Sequence, residues 1–262
     1  MTTDPETFVF RLPHLALDLW RATGAPRGLV VYAHGGGFVH GSRNDRIARR
    51  FGPLLAARGI AFASISYRKG GDPRKAFDET RLGQIDAAAA QTAAFYSGIR
   101  PAMLGSALYR ATEDFLSAAH YLMSQEDLGL SGQPWIAMGN SSGGLAAVAA
   151  AQGLAGLKHP VGLPPAAKAV AVASIVPQPW GMSASGPKVA LLCARGDQVF
   201  PRGEVDRLAA YAKEHDLPIS IARINYGQHT RPVRELMPDT EGKDGPWSDW
   251  LFGEIEAGLG SA

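Results

Sequence analysis

Near-continuous apolar runs alternate along this chain with segments whose apolar positions recur every three or four residues. The runs are Leu29–Ala33, 60–67, 135–138, 169–176 and 189–194, and 219–226 reads as a last strand. A strand covered on both faces has no polar side to show, so each run predicts a buried strand. Between them, 47–58 places Ile47, Phe51, Leu54 and Leu55 on one helical face and stops at Gly59. Segment 112–124 does the same with Phe115, Ala118, Ala119 and Leu122. Segments 145–154, 204–215 and 247–257 complete the predicted helices. At the start, 8–12 and Leu15–Trp20 read as two short strands joined at a Pro-His turn. Strands alternating with helices predict an α/β fold, a mostly parallel sheet with helices on both faces, as one domain over 1–262. In such sheets ligands bind beyond the carboxyl ends of the strands, so the strand-to-helix turns are where chemistry is sought.

One stretch does not fit the alternation. Residues 69–111 are rich in Gly, Ala and charge, contain a helical pattern at 77–96, and stand where a short connection would suffice. Connections this long are usually binding loops or lids. It carries Phe77, Phe95, Tyr96, Ile99, Met103, Leu104 and Tyr109, more large apolar groups than a solvated linker holds. The expectation is an insertion forming a lid or wall over the ligand site; the alternative is an extra helix packed on the outer face of the sheet.

Composition narrows the function classes. The 262 residues are 46% hydrophobic and 19% charged, enough for a large core and outside the disordered range. The formal net charge is +2 with no long basic block, so nucleic acid is not an expected partner. The apolar stretches 144–157 and 166–177 are too short to span a bilayer. The first residues, MTTDPETF, have no basic and apolar leader pattern, and Cys193 is the single cysteine. A cytoplasmic location is the expectation, with Cys193 acting as a small apolar residue in its strand. One cysteine also excludes a disulfide within the chain and a multi-cysteine metal centre.

The turn after run 135–138 reads Gly139-Asn140-Ser141-Ser142-Gly143, which fits G-x-S-x-G between a predicted strand and a predicted helix. There Ser141 sits at the apex of a sharp turn, and the helix behind it favours developing negative charge. An earlier strand ends in His34-Gly35-Gly36-Gly37-Phe38. Three glycines leave backbone N–H groups unobstructed for a carbonyl oxygen turning into an oxyanion. A phosphate-cradling loop would instead need G-x-G-x-x-G or Gly-Lys-Ser/Thr, and neither is present. His34 is read as an anchor of the loop rather than a base.

HGGGF at 34–38 and GNSSG at 139–143 resemble the α/β-hydrolase fold, and within it the HGGG esterases and lipases similar to hormone-sensitive lipase. That resemblance implies the chain order nucleophile, acid, histidine. The acid is then sought after run 189–194, where Arg195-Gly196-Asp197-Gln198-Val199-Phe200-Pro201 looks like the family's Gly-Asp-x-x-Val-Pro turn with Phe200 added. Asp197 is the candidate; Asp206 and Asp216 fall in or near a charged amphipathic helix. Of seven histidines only His229 follows the last predicted strand. The acid turn reads Gly-Asp-Gln-Val where the hormone-sensitive-lipase subgroup often has Asp-Pro-Leu, so compact esterases and formamidases of the same fold are equally near.

The resemblance implies a serine hydrolase of small or medium acyl esters, with catalytic Ser141, Asp197 and His229 and an oxyanion hole from the N–H groups of Gly36, Gly37 and Ser142. Phe38, Trp180 and Phe200 are candidates to line the substrate pocket. No metal or organic cofactor is required, and the expected partner is a small acyl ester. Amide or formamide hydrolysis and acyl transfer on the same triad stay open, because pocket shape selects the leaving group and acceptor. A non-catalytic binding protein on this fold is the reading from another class, and the presence of all three triad residues argues against it. No strand ends in the G-x-G-x-x-G of a dinucleotide-binding oxidoreductase.

Overall fold

The computed structural model describes residues 4–11, 13–237 and 247–260. Among the described residues eight strands form one sheet: β1 (Glu6–Arg11), β2 (Leu15–Trp20), β3 (Leu29–Ala33), β4 (Ala61–Ile65), β5 (Trp135–Asn140), β6 (Lys168–Val172), β7 (Lys188–Ala194) and β8 (Ile219–Ile224). Their spatial order is β1-β2-β4-β3-β5-β6-β7-β8. β1 pairs antiparallel with β2 and β2 with β4; every other neighbouring pair is parallel. The predicted hairpin is therefore an antiparallel edge on a parallel sheet; Leu12, at the end of its first predicted strand, lies outside the described residues.

Burial on both faces explains the apolar runs. In β3, Leu29, Val31 and Ala33 enter one core while Val30 and Tyr32 enter the other. In β5, Trp135 and Ala137 face the first core and Ile136 and Met138 the second. The second core is closed by α1 (Arg46–Ala56) through Ile47, Phe51 and Leu55, and by α7 (Trp247–Leu259) through Leu251 and Ile255. The first is closed by α3 (Ser106–Ser124), α4 (Ser142–Gln152) and α5 (Arg202–Glu214), with α2 (Glu79–Phe95) packed outside α3. α4 is rich in Ala and Gly because it lies against the sheet where large side chains have no room: a Cβ on Gly143 would stand 2.1 Å from the Ala33 carbonyl oxygen. A short helix, α6 (Arg231–Glu235), follows β8.

The 69–111 stretch is sewn into the body of the fold. Asp114, fully buried on α3, accepts from the Arg68 backbone N–H at 2.8 Å and pairs with its guanidinium at 2.9 Å, fixing the start of the segment. Tyr96 donates to the Val176 carbonyl and Tyr109 to the Ala155 carbonyl. Tyr96, Ile99, Leu104 and Tyr109 are buried in the first core. The segment's large apolar groups thus find their burial mostly in that core rather than over an open pocket. Helix α3 begins at Ser106, inside the segment, six residues before the helix predicted from 112.

Candidate active site

The carboxyl ends of β3 and β5 bring the two glycine motifs side by side. Ser141 follows β5 directly with φ 49° and ψ −122°, a left-handed conformation that costs a non-glycine residue energy and is held here by its surroundings. The Ser141 N–H donates to the Val172 carbonyl at 2.8 Å, and its own carbonyl accepts from the Ser174 hydroxyl at 3.0 Å. A Cβ on Gly139 would lie 2.2 Å from the Gly143 carbonyl oxygen, so the strand and helix can meet at this turn only with glycine there.

Ser141, Asp197 and His229 form one hydrogen-bonded chain. His229 Nε2 is 2.8 Å from Ser141 Oγ and His229 Nδ1 is 2.8 Å from Asp197 Oδ2. The other carboxylate oxygen, Oδ1, accepts the backbone N–H groups of Val199 at 2.8 Å and Phe200 at 2.9 Å. Asp197 is buried by the turn that follows β7, while the His229 side chain is 21% exposed and so open to a ligand. Two backbone bonds tie the acid turn to β8 and the turn beyond it: Arg195 N–H to Ile224 O and Gly196 N–H to Gly227 O, both 2.9 Å. Asp206 lies elsewhere, on the exposed side of α5 between Arg202 and Arg223.

The loop after β3 wraps around Ser141. Gly36 has φ 121° and Gly37 φ 63°, and a Cβ on Gly36 would stand 2.4 Å from the His40 carbonyl oxygen. The Gly36 carbonyl accepts from Val39 and His40, while the N–H groups of Gly36 and Gly37 make no hydrogen bond among the described residues. Phe38 N–H donates to Ser142 Oγ at 3.4 Å, joining this loop to the first residue of α4. His34 is buried beneath the loop, its ring stacked on Tyr67 with centroids 4.5 Å apart. Its Nδ1 is 2.7 Å from the Gly35 carbonyl, which makes Nδ1 the protonated nitrogen. Burial lowers its pKa to about 4, so His34 is neutral at physiological pH.

A cavity of about 480 Å³ opens above these groups. Gly36, Gly37, Ser141 and His229 form its floor, and Met103, Ala173, Val199 and Val233 give it apolar walls. Asp45 and Arg100 are the charged side chains in its lining. Phe38, Trp180 and Phe200 are not part of the lining. Phe38, at φ 62°, turns its ring inward against Tyr67, and Phe200 is buried beside the His229 ring. Trp180 packs on the first core and bonds Thr92. Nearness in sequence to a motif did not fix which way these rings point. Met103 is one of the apolar groups of the segment expected to form a lid or wall, whereas Arg100, Val199 and Val233 were not singled out from the sequence. Only Val199, within the acid turn, stood beside a recognised motif; the others come to the cavity by tertiary folding. Among the described residues no cluster of His, Cys, Asp and Glu could hold a metal ion, and no helix is long and apolar enough to cross a membrane.

The sheet order, its helical layers and the placement of this cavity at the strand ends define an α/β-hydrolase fold. The chain is similar to esterase 2 of Thermogutta terrifontis phosphorylated by paraoxon, with a TM-score of 0.64 and 15% identity over 86% of this chain and 84% of that one. It is likewise similar to the native form of that thermophilic esterase, at TM-score 0.63 and 15% identity over 86% and 83% of the two chains. A butyrate-bound form matches at TM-score 0.64 and 16% identity, over 86% and 84%. No family model matches the chain, and no curated protein matches it in sequence.

Proposed function

We propose that the protein is a serine hydrolase that cleaves carboxylic esters of small acyl groups through an acyl-enzyme on Ser141. The observation that carries the proposal is the pair of 2.8 Å contacts linking Asp197, His229 and Ser141 at the floor of an open cavity. His229 Nε2 takes the hydroxyl proton as Ser141 Oγ attacks the acyl carbonyl. Asp197 accepts from Nδ1–H, holds the imidazole in the tautomer that leaves Nε2 free, and stabilises the imidazolium. The N–H groups of Gly36, Gly37 and Ser142 receive the oxyanion, and the helix behind Ser142 adds its positive end. His229 then protonates the leaving alcohol, and water activated by the same imidazole releases the acid.

The cavity's size and its walls of Met103, Ala173, Val199 and Val233 support a short apolar acyl group. The propionate- and butyrate-bound forms of the Thermogutta terrifontis esterase, and its adducts with paraoxon and sarin, support the same class. Arg100 and Met103 are the part of the 69–111 stretch that lines the cavity.

A fluorophosphonate probe tests the nucleophile. One adduct is expected on the native protein, mapped to Ser141, and none on Ser141→Ala. Labelling of the alanine variant at the native rate would remove Ser141 from the chemistry.

A further inference from the structure

We propose a second ligand site, for a phosphate-class dianion, on the far side of the acid turn. A cavity of about 150 Å³ opens there between the end of β7, the start of α5 and the end of β8. Cys193 and Val205 belong to its lining, and Arg195, Arg202, Arg223 and Asn225 supply the polar groups. Three arginines, from three different elements, therefore converge on one small space.

Their countercharge is incomplete. Asp206 divides its two oxygens between two of them, Arg223 Nη1 at 2.6 Å and Arg202 Nε at 3.4 Å. Arg195 makes no side-chain hydrogen bond or ion pair among the described residues. The other acids nearby are committed elsewhere. Glu204 accepts from the Gly98 N–H at 2.7 Å and pairs with Arg207, and both oxygens of Asp197 are taken by the His229 ring and the acid turn. Three guanidinium groups and one carboxylate leave a formal charge of +2, the complement of a dianion.

The chemistry of the lining selects the ligand. Guanidinium forks match the tetrahedral oxygens of phosphate in paired hydrogen bonds, and Asn225 adds a neutral donor. α5 begins at Arg202, so the positive end of its dipole adds to the same field. The thiol of Cys193 takes no part as an anion: burial pushes its pKa up to about 12, and it donates to the Ser174 carbonyl. Arg195 stands on the acid turn and Arg223 on β8, the two segments joined by the bonds from Arg195 N–H and Gly196 N–H. A bound dianion would clamp them a second time. The site does not depend on the hydrolase reading.

The test is thermal unfolding of the full chain titrated with sodium phosphate, with sodium chloride at matched ionic strength as the reference. A saturable rise in the midpoint with phosphate, absent with chloride, is expected. The double variant Arg195→Gln/Arg223→Gln should weaken phosphate binding at least about tenfold. The variant Arg46→Gln/Arg50→Gln, with the same charge change on α1, should bind as the parent does. Should the Arg223 change unfold the protein, Arg195→Gln alone must still weaken binding, since that side chain is exposed and has no partner among the described residues. Glycerol phosphate, run beside inorganic phosphate, separates the two sources of the group: tighter binding of the ester marks an organic phosphate, and tighter binding of the inorganic ion marks free phosphate. No saturable rise with either, or an equal loss in the α1 variant, overturns the proposal.

Discussion

Asp197→Asn should nearly abolish turnover while leaving the fold in place, and the geometry says why. Oδ1 of Asp197 holds two backbone N–H groups, from Val199 and Phe200, and Oδ2 faces His229 Nδ1. An asparagine has one acceptor oxygen. Keeping it on the two N–H groups preserves the turn and points the NH₂ at His229. Nδ1 must then accept, which puts the ring proton on Nε2, the nitrogen 2.8 Å from Ser141 Oγ. That nitrogen can no longer take the hydroxyl proton. The opposite rotamer would set NH₂ against two buried donors and is the costlier choice. The expected loss in kcat is up to about 10⁴-fold, roughly 5.5 kcal/mol at 1.36 kcal/mol per decade. The assay is hydrolysis of p-nitrophenyl acetate and butyrate, with circular dichroism to confirm folding. Asp206→Asn, on the exposed side of α5, should stay close to wild type. A folded Asp197 variant within tenfold of wild-type kcat, or a larger loss in the Asp206 variant, would refute the assignment.

Gly36→Val should cost at least about 10²-fold in kcat, the scale of one lost oxyanion donor. Its φ of 121° and the His40 carbonyl 2.4 Å from the added Cβ both force the loop to move; near-wild-type turnover would take HGGGF out of the active site. His34 predicts a pH effect on stability. Burial lowers its pKa from 6.5 to about 4, so the unfolded chain takes up a proton in this window that the folded protein refuses. His34's contribution therefore holds above about pH 6.5 and falls as pH drops toward 4, by about 2 kcal/mol between pH 7.5 and 5. Urea unfolding of wild type and His34→Gln at both pH values should show the gap between them narrowing by that amount on acidification, and parallel losses would show that His34 does not titrate as stated.

The middle of the sheet was legible because β3 to β7 are buried on both faces. No surface pattern competes with the apolar run, so β3, β5 and β7 begin and end within two residues of the predicted limits. The same signal overran β6. The predicted run continues to Val176, but the strand ends at Val172, and Ala173 turns into a left-handed conformation with φ 49°. Ile175 and Val176 stay buried as loop, so apolarity reported burial there and not extension. Helix α6 gave no periodic signal because five residues, with Pro232 in the first turn, make little more than one turn. The hidden start of α3 has a similar cause: Ser106–Ala111 is buried almost all round, so no polar face marks its period.

The candidate site divides along the same physical line. Backbone constraints write themselves into sequence. The glycines at 36, 139 and 143 stand where a Cβ would meet a carbonyl oxygen at 2.1–2.4 Å, and Ser141, Asp197 and His229 occupy turns whose position follows from strand order. Side-chain direction leaves no such mark. Phe38 sits one residue from Gly37, yet its positive φ sends the ring into the core, away from the cavity that Gly37 lines. Arg100 and Met103 lie far from every motif, yet they reach the cavity because Tyr96, Ile99 and Leu104 are drawn into the core beside them and carry the chain past the mouth. The parts readable from sequence are those that would be common to many acyl substrates. Of the residues that set the shape of the cavity, Met103 lies in a stretch marked out by its length and apolar content and Val199 in the acid turn, while Val233 owes its place to packing and emerges only in three dimensions.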